Sequence, residues 1–202
     1  MAGAVLRARR RFFRVDDFDG SRAAVDRELC RLVAAGELRR VRNGLYWRGP
    51  RTMLGIAPPT LDELLEELVG EYVYGPAGAS AANAFGLTSQ VPARNEVAVT
   101  GRPPRDLPTV RFVQRAGRRG RQAARLRPAE VGFLEILNDF DEVVEDASSA
   151  LQHLSRLLDG DTIRRDALLE AARTEPPRVR RAVQHLAGHD LQAAHDDLLV
   201  PT

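Results

Sequence analysis

A chain of 202 residues, 44% of them apolar, is long enough for one large domain or two small ones around a real core. All 30 basic residues are arginine, which excludes a Schiff-base lysine, a phosphate-loop lysine and the lysine of the common D…E-x-K nuclease site. The single Cys30 excludes an internal disulfide and fits a reducing cytoplasm. With no apolar run of about eighteen residues and no apolar segment after the basic N-terminus, neither a membrane partner nor a secretory leader is expected.

Charge is unevenly spread. Residues 1–51 carry 13 Arg against 6 acids, and residues 94–127 carry 10 Arg against 2. Between and after them, residues 52–93 hold 5 acids and no Arg, and residues 128–202 hold 15 acids against 7 Arg. Such alternation suggests a polyanion partner at the basic blocks. For residues 94–127, ordinary solvated faces account for the charge equally well.

The first fourteen residues run from small to basic to aromatic. They read either as a helix docking Val5, Leu6, Phe12 and Phe13 or, preferably, as an arm or frayed helix offering Arg9, Arg10 and Arg11 to a phosphate backbone. A short helix is expected at Asp16–Phe18. Ser21 then caps a helix whose Val25, Leu29, Leu32 and Val33 form one apolar stripe, ended by Gly36. Two basic β-runs, residues 37–42 and 45–48, flank Asn43-Gly44. That pair predicts a type I′ hairpin, pairing Val41 with Tyr46 and Arg40 with Trp47. Helix, helix and two-stranded wing give the outline of a winged helix-turn-helix over residues 1–50.

Residues 51–59 read as a linker and residues 60–202 as a second domain. This domain is expected to be mixed α/β over 60–127 and a helical bundle over 128–202, which makes the whole chain α+β. Thr60 caps a helix through about Val69. Tyr72–Tyr74, Glu96–Thr100 and Thr109–Gln114 read as strands, and Ala77–Phe85 as a small-residue helix. Residues 115–127 read as an Arg-rich loop or third strand. Helices are expected over about 129–139, 142–158, 162–174 and 177–188, with a short last one after 189.

A recognition helix needs polar side chains on the exposed N-terminal half of the second helix. Ser21, Arg22 and Arg27 supply them, with Arg31 further along. The wing adds Arg39, Arg40, Arg42, Asn43 and Arg48 for phosphates or a minor groove. A winged helix serving only protein interaction is the alternative. Elsewhere, His185 and His189 have the spacing of a zinc pair but lack cysteine support. Asp159 and Asp161 fit helix capping better than Mg²⁺ binding. The acids from Asp139 to Asp146 fit a solvated face, and Ser80 lacks a nucleophile-elbow spacing. No catalytic constellation, metal site or cofactor is expected.

Residues 21–48, the proline linker after them and the segment YGPAGASAANAFGLTSQVPARNEVAVTG resemble the AbiEi family of type IV antitoxins over roughly residues 12–138. The most telling pieces are the helix–Gly–wing ending at Gly44-Leu45-Tyr46, and Leu87–Pro92 after the Ala-rich helix. The resemblance implies a transcriptional repressor that binds inverted repeats in its own promoter; a homodimer is expected if the operator is palindromic. It also implies a C-terminal antitoxin region that counters a nucleotidyltransferase-like toxin. By position, promoter reading would fall to Ser21, Arg22, Arg27 and Arg31, with Arg40, Arg42 and Asn43 in the wing. Neutralisation through a direct complex with the C-terminal helices is the alternative reading.

Overall fold

The computed structural model describes residues 2–199 as a mixed α+β chain of two compact units, residues 1–70 and 71–202. In the first unit, α1 (Ala2–Arg7) leads into β1 (Phe12–Arg14), a 3-10 turn at Val15–Asp17 and α2 (Arg22–Ala34). The hairpin β2 (Arg39–Arg42) and β3 (Leu45–Trp47) follows, then the small hairpin β4 (Arg51–Thr52) and β5 (Gly55–Ile56), and α3 (Leu61–Val69). Strand β3 lies between β1 and β2, antiparallel to both.

The N-terminal residues are therefore not an arm. Val5 and Phe13 are buried with Val15, Val25, Leu29, Leu32, Leu38 and Tyr46 in one core. Three arginines of this segment pair with acids of their own unit, while Arg9 is exposed. Arg10 pairs with Asp17 at 3.1 Å, Arg11 with Glu63 at 2.8 Å and Arg14 with Glu67 at 2.6 Å. The last two tie α3 to β1 and the residue before it, and the first unit reaches Gly70 rather than ending at Pro50. Residues 51–59 are not a plain linker either: Trp47 Nε1 donates to the Ala57 carbonyl at 2.9 Å and Arg39 to that of Ile56 at 3.1 Å.

The hairpin differs in detail from expectation. Gly44 takes a positive φ of 75° but Asn43 does not, so the turn is not type I′, which needs both. A bulge at Val41 inserts one residue into β2, so Arg40 faces Tyr46 and Arg39 faces Trp47.

In the second unit, β6 (Tyr74–Pro76), α4 (Gly78–Ala84), β7 (Asn95–Val99) and β8 (Val110–Gln114) come first. Strand β7 is central, antiparallel to β6 and parallel to β8. The helices α5 (Arg119–Ala123), α6 (Pro128–Asn138), α7 (Phe140–Val143), α8 (Ala147–Asp159), α9 (Arg165–Ala172), α10 (Pro177–Ala187) and α11 (Leu191–Leu199) complete it. The expected helix over 142–158 is broken, because Asp146 caps a fresh start at α8 by accepting from Ser149 N. The expected loop or strand at 115–127 contains α5. Among the described residues, no helix is long and apolar enough to cross a membrane.

Candidate nucleic-acid interface

The N-terminus of α2 and the turn of the β2–β3 hairpin are built to meet. Ser21 Oγ accepts from Ala24 N at 3.3 Å and starts the helix, which leaves Arg22 in its first turn. Arg22 reaches Asp16 at 3.2 Å, but both side chains are more than three-quarters exposed, so water weakens this pair. Arg40 Nη2 donates to Asn43 Oδ1 at 2.7 Å, bracing the turn. A groove of about 500 Å³ runs between the two elements, lined by Arg22, Ala23, Asp26, Arg40, Asn43 and Gly44. Arg42 flanks the same turn opposite Leu45.

The other sequence-derived residues are not in this groove. At about 100° per residue, Arg27 and Arg31 lie about 140° and 180° around α2 from Arg22. Arg27 Nε donates back to the Ala23 carbonyl at 3.2 Å, and Arg31 makes a two-pronged pair with Glu28 at 2.7 Å. Arg39 is turned to the Ile56 carbonyl. Arg48 is half-buried and donates to the carbonyls of Val5, Leu6 and Ala8 at the end of α1, where a cation complements the helix dipole. Its placement in the wing surface is thus corrected: Arg48 caps a helix.

Sequence reasoning missed Asp26. Its carboxylate lines the groove and accepts, through Oδ1, from the Tyr46 hydroxyl at 2.8 Å. Tyr46 is fully buried. Burial, and then its hydrogen bond to Asp26, pushes the phenol well above its ordinary acidity range, so it stays a donor. Cys30 Sγ lies 3.7 Å from the same hydroxyl. The available signal was spacing: Asp26 is four residues from Arg22 and so on the same stripe of α2.

No family model matches the chain, and no curated protein matches it. Among solved structures, it is similar to the RV2827C protein from Mycobacterium tuberculosis, known from a crystal structure. The identity is 17%, the TM-score is 0.52, and the match covers 99% of this chain and 80% of that one. At this identity the likeness bears on the fold alone.

The second unit uses its chemistry-bearing residues internally. Arg121, 1% exposed, bonds Glu135 at 2.6 Å and Glu175 at 2.7 Å, while Arg115 joins Glu135 and Arg118 joins Glu175. Three of the ten arginines at 94–127 thus share two buried carboxylates from outside the block. Ser80 Oγ accepts from Glu96 N at 2.8 Å, tying α4 to β7. His185 faces Asp190 and Asp197, whereas His189 faces Asp159. Among the described residues, no three metal-ligating side chains converge. In the expected acidic face, Glu145 accepts from Thr88 and Ser89, and Asp146 caps α8.

Proposed function

We propose that residues 1–70 form a winged helix-turn-helix that binds duplex DNA, with α2 as the reading helix and the β2–β3 hairpin as the wing. The order helix, strand, short helix, helix, hairpin supports this reading, as does β3 lying between β1 and β2. The observation that carries it is the groove joining Arg22 at the start of α2 to Arg40 and Asn43 at the turn. Guanidinium forks suit both phosphate oxygens and guanine edges, and helix N-termini add backbone donors. With the resemblance to AbiEi antitoxins, the chain reads as an autorepressor of a toxin–antitoxin operon. Residues 71–202 then counter a nucleotidyltransferase-like toxin. Inverted repeats in the operator would be read by two copies.

Fluorescence anisotropy with the chain's own upstream DNA and a scrambled duplex, over a salt series, tests the DNA part. Specific affinity that falls steeply with salt is expected, because neutralised phosphates release counterions. Equal affinity for both duplexes, or none, overturns it. Co-expression with the neighbouring open reading frame tests the antitoxin part, with rescue of growth as the expected result.

A further inference from the structure

The groove is basic at Arg22 and Arg40, yet its lining includes the carboxylate of Asp26. We propose that Asp26 is the specificity-determining residue of this groove and reads the exocyclic amino group of a cytosine in the major groove. This rests on the DNA-binding reading above.

Three observations carry it. Asp26 lines the groove on the same stripe of α2 as Arg22, four residues on, so a base edge reached by one is within the span of the other. The carboxylate is pre-aimed: the buried Tyr46 hydroxyl donates to Oδ1 at 2.8 Å and leaves the second oxygen outside that bond. Among the described residues, no ion pair joins Asp26 to either neighbouring arginine; Arg22 is paired with Asp16, and Arg40 is bonded to Asn43.

The chemistry then narrows the ligand. A carboxylate accepts only and repels phosphate, so it weakens sequence-independent binding to a polyanion. In the major groove the donors are the amino groups of adenine and cytosine. The amino group of adenine sits beside the N7 acceptor, which a carboxylate repels, while that of cytosine has no acceptor at its side toward the groove edge. A single free oxygen suits this single donor. Asn43 and the arginines are left to phosphates and to guanine.

The test is selection of bound duplexes from a randomised pool by the wild-type chain, Asp26→Asn and Asp26→Ala, each checked for folding by circular dichroism. Asp26→Asn keeps an acceptor for Tyr46 and adds a donor, so it pairs with both N6 and N7 of adenine. The expected result is a C·G pair at one position for wild type, with discrimination of about 5- to 100-fold. That preference moves to adenine in Asp26→Asn and disappears at that position alone in Asp26→Ala. Both variants should bind unrelated duplex more tightly than wild type. Identical base preferences in all three proteins, with specific binding intact, overturn the role of Asp26 and leave the DNA-binding reading standing. A wild-type chain that selects no sequence overturns that reading, and this inference with it.

Discussion

Arg40 and Arg48 look equivalent in the sequence, two arginines on either side of one hairpin turn, but their surroundings separate them. Arg40 braces the turn from an exposed position, whereas Arg48 is spent on three carbonyls at the end of α1. On the proposed DNA-binding reading, Arg40→Ala should weaken binding across all sequences and reduce the slope of log K against log salt by about 0.9. Arg48→Ala should leave that slope unchanged and lower stability by about 1–2 kcal/mol, because charge-assisted bonds to the helix end are lost. An altered slope in Arg48→Ala would show that its guanidinium does reach phosphate. Glu135 makes a third residue-scale case. Burial alone would raise its pKa, but the bond from Arg115 and the charge of Arg121 outweigh this and hold the carboxyl below its ordinary range. A depressed folded pKa stabilises above the unfolded value, about pH 4.5, and that contribution is lost as pH falls through the folded value. Replacing Glu135 by Gln should therefore flatten the acid limb of the stability profile, measured by urea unfolding between about pH 3 and 6.

Local periodicity was a sound guide to α2. The apolar stripe at Val25, Leu29 and Leu32 is buried, and Ser21 caps the helix as expected. The place of the Asn-Gly turn was also legible, because Gly44 supplies the positive φ it needs, though its type was not, since Asn43 stays out of the left-handed region. Nor was the register, since a bulge at Val41 depends on how β2 settles on the rest of the sheet rather than on the turn residues. The segment after Pro50 was misread for a similar reason. Pro and Gly mark breaks, yet here Gly49 is needed for contact: a Cβ at that position would come within 2.3 Å of Trp47 Nε1 and 2.6 Å of the Ala57 carbonyl. Gly49→Ala should push the chain at Ala57 away from the indole, break the Trp47–Ala57 bond and cost about 1–3 kcal/mol. A red shift in tryptophan emission of the folded variant would report the opening, and an unchanged spectrum with unchanged stability would count against the close approach.

The two units have separate cores, one built from Val5 to Tyr46 and the other from Ala77 to Leu198. The basic block at 94–127 left a polyanion surface and ordinary solvated faces equally open, because the partners of Arg121 lie 14 and 54 residues away and no local pattern reveals them. Groove residues, by contrast, lie within one helix–hairpin stretch, which is why Arg22, Arg40 and Asn43 could be read from sequence. The division can be tested with probes the chain already contains. Its one tryptophan, Trp47, is in the first unit, whereas helices α4 to α11 of the second unit dominate the far-ultraviolet circular dichroism. Glu135→Gln leaves Arg115 and Arg121 short of a buried counter-charge and should cost about 3 kcal/mol. Its effect belongs to the core of the second unit, so the dichroism transition should move to lower denaturant while the tryptophan transition stays. Gly49→Ala should do the reverse. Substitutions that share no partner act additively, so the double variant should show both shifts at their single-variant sizes. If either substitution moves both probes together, the cores unfold as one cooperative body and the assignment of DNA binding to an autonomous first unit loses its thermodynamic basis.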